Sequence, residues 1–119
     1  MKSVEANKKV DALIDAVGKE FKAEFIIKSL TEIREYALKE TDPLLAKVCR
    51  LSYEYITENE CFDHTVEKEE DDEGEEFLIE PGTDTENLTY LLQLIRQSEN
   101  DFNREEIKEM RTWLKLKLY

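Results

Sequence analysis

The stretch "TDPLLAKVCRLSYEYITEN", from Thr41 to Asn59, carries the clearest helix start in the chain and decides how the rest is read. Asp42 or Thr41 offers a side-chain oxygen for the N-cap, and Pro43 occupies the first helical position, where its missing N–H costs nothing. Leu44, Leu45, Val48, Leu51, Tyr55 and Ile56 then recur at helical spacing over a wide arc. An apolar face that broad belongs to a helix buried at the centre of a core. Cys49, on the same side, reads as a small core residue.

Upstream, the segment from Ser3 to about Val17 predicts a helix capped by Ser3, with Val10, Leu13, Ile14 and Val17 on one face. Ile26, Leu30, Ile33 and Ala37 mark a second helix, starting near Lys19 or Ala23 and running to Glu40. One unbroken helix from Ser3 to Glu40 would be roughly 60 Å long at 1.5 Å per residue, too long for a domain of this size, so a break is expected near Gly18. The short link from Glu40 to Pro43 makes the second and third helices an antiparallel hairpin.

Downstream, "PGTDTENLTYLLQLIRQSEN" supplies turn residues, a Thr or Asp cap and a fourth helical stripe of Leu88, Leu91, Leu92 and Ile95. In "DFNREEIKEMRTWLKLKLY", Asn103 and Glu106 have capping-box spacing, and Phe102 and Ile107 have that of a hydrophobic staple, predicting a fifth helix. The expected fold is therefore a single all-α domain over residues 1–119, a small bundle of four to five helices. A long acidic loop, residues 62–82, lies between the third and fourth helices.

Charge is distributed unevenly. The net charge is −12, with 29 acidic and 17 basic side chains. Residues 1–62 hold 12 acids and 10 bases, residues 63–80 hold 10 acids and one Lys, and residues 81–119 hold 7 acids and 6 bases, giving −2, −9 and −1. A nearly neutral body thus carries one acidic segment, expected to be solvated, flexible and dispensable for folding. Direct nucleic-acid binding needs a concentrated basic footprint and is not expected. No apolar run approaches the roughly 20 residues of a membrane span, and the N-terminal residues lack the apolar stretch of a signal peptide. A cytoplasmic protein with reduced cysteines is expected.

The acidic segment has a sharper reading as a divalent-cation site. Glu69, Asp71, Glu73, Gly74 and Glu80 fall at positions 1, 3, 5, 6 and 12 of an EF-hand loop, where a hard Ca²⁺ ion takes alternating oxygen ligands, a Gly turn and a closing bidentate Glu. Against this stand Glu at the first ligand position, Glu76 at the apolar anchor, and Pro81 with Gly82 where an exiting helix belongs. "CFDH" places Cys61 near His64, but the chain has one His and only two Cys, too few for a closed zinc site. No phosphate-binding glycine loop, Gly-x-Ser-x-Gly element or supported Cys–His pair is present, so neither an enzyme nor a cofactor is expected.

A protein-interaction or structural module is the leading expectation, with a protein partner or a homodimer. A cation-binding protein, or an acidic nucleic-acid mimic on a basic partner, are the alternatives. Phe77, Leu78 and Ile79 read as a short extended piece and an apolar anchor for a partner. On the fifth helix, taking about 100° per residue, Ile107, Met110, Leu114 and Leu118 cluster, Trp113 lies about 60° beyond Met110, and Leu116 points the opposite way. Leu94 falls about 60° outside its own stripe. Leu94, Trp113 and Leu116 are therefore expected on an association face.

Overall fold

A computed structural model describes residues 1–63 and 83–119, together with the backbone of residues 68–70 and 76–78. Five helices carry the described fold: α1 Val4–Lys19, α2 Ala23–Lys39, α3 Pro43–Asn59, α4 Asp84–Arg96 and α5 Asp101–Leu118. Two three-residue strands, β1 Lys68–Glu70 and β2 Glu76–Leu78, pair antiparallel with Glu69 opposite Phe77. The protein is all-α in class, as the periodicities predict, and the expected extended piece is found at Phe77 and Leu78.

The helices close a ring in which α1 packs on α2 and α4, α3 on α2 and α5, and α4 on α5. Short links make α1–α2, α2–α3 and α4–α5 antiparallel. α3 and α5 run parallel, because Arg104 at the start of α5 meets Asp42 at the start of α3, and Tyr119 beyond the end of α5 meets Glu54 near the end of α3. Leu30, Ile33, Leu45, Leu51, Leu91, Leu92 and Ile95 fill the interior with less than 2 % exposure. Phe62 joins them at 0 %, so the residue expected to open the acidic loop is instead core. It stands edge-on to Tyr55, with ring centroids 6.3 Å apart. Its carbonyl accepts from Asn87 Nδ2 at 3.0 Å, and Asp63 accepts from the Tyr55 hydroxyl. The remainder of the 62–82 expectation, flexibility and dispensability included, lies outside the described residues.

Two boundaries differ from the sequence expectation, each for a local reason. Gly18 does not end α1, which runs through it to Lys19. The break comes at Glu20, whose extended backbone lets Phe21 fold its ring back onto the core. α5 is capped by Asn100 and not Asn103, Asn100 Oδ1 accepting from Phe102 N at 2.8 Å and Asn103 N at 3.3 Å. Starting the helix three residues early puts Phe102 in its first turn, 82 % exposed, and the staple with Ile107 is not formed.

The α2–α3 hairpin closes through paired 6→1 and 5→2 bonds, Asp42 N to Ala37 O at 2.9 Å and Thr41 N to Leu38 O at 3.1 Å. This turn requires its pivot to be left-handed, and the pivot is Thr41 at φ 55. A β-branched residue is disfavoured there by roughly 1–2 kcal/mol, which is why Gly commonly ends helices in this way. Thr41→Gly is accordingly expected to raise the unfolding free energy by about 1 kcal/mol in urea denaturation, after the entropy cost of Gly is deducted. A loss of stability would show that the Thr41 side chain makes a compensating contact.

Candidate functional site

α5 is held at both ends by α3, and this decides which of its faces stays open. At the start, Arg104 grips Asp42 with two N–H groups, each 3.0 Å from a carboxylate oxygen, and donates to Ser98 O at 3.3 Å. Asp42 also caps α3 by accepting from Leu45 N at 3.3 Å. Burial pushes the Asp42 carboxyl up, but the Arg104 bonds, the Leu45 N–H and the guanidinium charge outweigh it and hold it below its ordinary 3.8. The joint lies in a polar cleft of about 390 Å³ that also takes in Lys2, Glu40 and Thr41. Glu40 accepts there from the Lys2 and Ser3 amides at 2.8 and 3.2 Å. With Asp42 ion-paired and Glu40 taking backbone bonds, these carboxylates act as clamps between elements.

At the other end, Trp113 leans on Tyr55 with centroids 5.4 Å apart and planes at 51°, and Lys117 Nζ lies 5.6 Å from its ring. Ile107, Met110 and Leu114 face the core. The sector of α5 turned away from them carries Phe102 at 82 % and Leu116 at 75 % exposure, about 40° apart around the axis and roughly 21 Å apart along it. Tyr119 follows at 74 %.

Beside this sector runs a groove of about 510 Å³ between α3 and α5, lined by Pro43, Leu44, Lys47, Arg111, Thr112 and Lys115. Among the described residues, Lys47, Arg111 and Lys115 have no ion-pair partner, whereas Arg50 pairs with Glu54 at 4.0 Å and Lys108 with Glu105 at 3.2 Å. Three cations thus line one groove of a chain whose net charge is −12.

The residues expected on an association face separate. Leu116 is on the open sector and Trp113 at its edge, half-buried. Leu94 is 6 % exposed and belongs to the core, a correction: α4 packs on both α1 and α5, and its buried arc is wide enough to include Leu94. For Phe77, Leu78 and Ile79, and for the cation candidates Glu69, Asp71, Glu73 and Glu80, the side chains lie outside the described residues. So does His64. No cluster of three or more metal-ligating side chains occurs among the described residues, and no described helix is long and apolar enough to cross a membrane. Cys49 is buried and its thiol is pushed up to about 12 by burial, so it stays protonated near neutral pH. Cys61 is raised as well, first by burial and then by Asp63 and Asp84.

Sequence reasoning missed Phe102 and the cationic groove. Arg111 and Lys115 stand at i, i+4 and are legible as neighbours on one helix face. Lys47 joins them only because α3 and α5 run parallel side by side. Comparison with known proteins gives no match to a family model, to a curated protein or to a solved structure.

Proposed function

We propose that the protein is a non-enzymatic interaction module whose docking surface is the outer sector of α5. The observation that carries this reading is the exposure of Phe102 and Leu116 on one side of a helix whose opposite side is fully used by the core. Single exposed hydrophobes are ordinary on a soluble surface, but two on one sector, with Trp113 at its edge, supply the aromatic and aliphatic anchors that interfaces favour. The intervening Glu105 and Glu109 keep the sector wettable when it is free.

The reading predicts that Leu116→Glu leaves the fold intact and removes binding. Thermal denaturation followed by circular dichroism should shift by no more than a few degrees, since a surface change away from the core costs within about 0.5 kcal/mol. Tagged wild-type protein should retain binding partners that Leu116→Glu loses in side-by-side capture with quantitative mass spectrometry. Identical recoveries from the two baits would remove α5 as the docking surface.

A further inference from the structure

The groove between α3 and α5 is a surface separate from the outer sector of α5. Pro43, Leu44 and Lys47 form one wall, Arg111, Thr112 and Lys115 the other, and the space between them is about 510 Å³. On a helix surface a charge is neutralised by its neighbours at i±3 and i±4. None of those positions around Lys47, Arg111 or Lys115 holds an acid; Arg50 follows Lys47, and Arg111 stands between Lys108 and Lys115. At about 100° per residue, Arg104, Lys108, Arg111 and Lys115 fall within about 60° of one another, a basic stripe along the α3 side of α5. Arg104 is engaged by Asp42, Lys108 by Glu105 and, on α3, Arg50 by Glu54. The three cations that line the groove have no such partner among the described residues.

We propose that this groove receives an extended acidic segment of another protein, with carboxylates on alternate residues meeting Arg111 and Lys115 and with Lys47 closing from the opposite wall. The spacing supports an extended occupant. Arg111 and Lys115 are separated by about 6 Å along α5, and alternate side chains of an extended chain are roughly 6.5 Å apart on one side. A helix fits less well, because a single turn about 5.4 Å long and 10–12 Å across would take roughly 400–600 Å³ by itself. Arg111 offers a planar fork for a carboxylate, and the two lysines add point charges. Pro43, the buried Leu44 and the methylene stems of the half-buried Lys47 and Arg111 supply apolar contact for the backbone of the segment. Thr112 Oγ1 donates to Lys108 O at 3.0 Å, and its oxygen can still accept from a peptide N–H. Nucleic acid is the poorer fit. No aromatic ring lines the groove to stack a base, and a net charge of −12 repels a long polyanion more than a short acidic segment. Surface ion pairs are individually weak, so the expected dissociation constant is on the order of 300 µM. At about 0.1 M salt the Debye length is roughly 10 Å, which screens the distant acids and leaves contacts within the groove largely intact.

Fluorescence anisotropy at about 0.1 M salt tests this, with the full chain titrated to about 1 mM, some three times the expected constant. The probes are a dye-labelled peptide of alternating Glu and Ser, its counterpart of alternating Gln and Ser, and a dye-labelled oligothymidylate of equal charge. The wild type should bind the Glu peptide and not the Gln peptide. The double variant Lys47→Glu, Lys115→Glu should weaken that binding about tenfold, and Lys47→Gln, Lys115→Gln, which adds no acid, about fivefold. Lys8→Glu, Lys19→Glu has the same net charge as the first variant but carries the changes on α1, across the ring, and should alter binding less than about twofold. Circular dichroism confirms that each variant is folded. No anisotropy rise for the wild type, or equal binding of the Gln peptide, would overturn the acidic occupant. A loss for the α1 variant as large as that for the groove variants would trace the effect to overall charge and overturn the groove. Tighter binding of the oligothymidylate would make the occupant a nucleic acid and overturn the peptide.

Discussion

Phe62→Ala is expected to lower the unfolding free energy by about 3–5 kcal/mol, the range for truncating a fully buried aromatic. The ring has 0 % exposure and stands edge-on to Tyr55, so its loss removes transfer energy and leaves a cavity at the end of the bundle where α3 stops and α4 begins. The surroundings cannot easily collapse into that cavity. The Phe62 carbonyl is tied to Asn87 and the neighbouring Asp63 to Tyr55, which holds the backbone in place. For a domain with roughly 5–15 kcal/mol in total, the change consumes about a fifth or more of the stability. Phe62→Leu, which retains most of the volume, should cost about 1–1.5 kcal/mol. Urea midpoints at constant m-value read the difference, and a loss below about 1 kcal/mol for Phe62→Ala would mean that the ring is solvated in solution.

The second large effect is expected at Asp42, which joins α3 and α5 through one carboxylate. Asp42→Ala removes the α3 cap, worth about 1 kcal/mol, and the two-point bond to Arg104, where hydrogen bonds to charged groups are worth about 1.5–3 kcal/mol. Because about a third of Arg104 is exposed and can rehydrate, the combined loss should be about 2–4 kcal/mol. Asp42→Asn keeps a capping oxygen and should recover about 1 kcal/mol of it.

The two variants also separate the pH dependence. The folded carboxyl titrates below its ordinary 3.8, so the folded state binds fewer protons than the unfolded chain at mildly acid pH. Its contribution is complete above the unfolded value and is lost as pH falls through the lower, folded one. The stability gap between wild type and Asp42→Asn should therefore be constant near neutrality and narrow below about pH 4. A gap unchanged down to pH 2 would show that the Arg104 pair contributes nothing.

Most of the secondary structure was legible because its causes are local. Asp42–Pro43, Ser3 and Thr83 announce helix starts through groups within three residues of themselves, and the stripes of α2 and α3 need only the 3.6-residue period. The start of α5 was misread: Asn103 has capping-box spacing to Glu106, but Asn100, three residues upstream, accepts from the Phe102 and Asn103 amides and caps the helix. The choice of Asn100 exposes Phe102 and thereby turns an expected staple into part of the candidate face.

The site was less legible, because surface chemistry depends on which helices lie side by side. By itself the sequence determined the all-α class, the five helical stripes, the concentration of charge in residues 63–80 and the outward position of Leu116, all consequences of composition and short-range periodicity. Only the tertiary structure decided that Phe62 is core, that Leu94 is covered, and that Lys47 stands beside Arg111 and Lys115. Those outcomes follow from closing five helices into a ring with α3 and α5 parallel, a pairing between residues some sixty positions apart that no local interaction specifies.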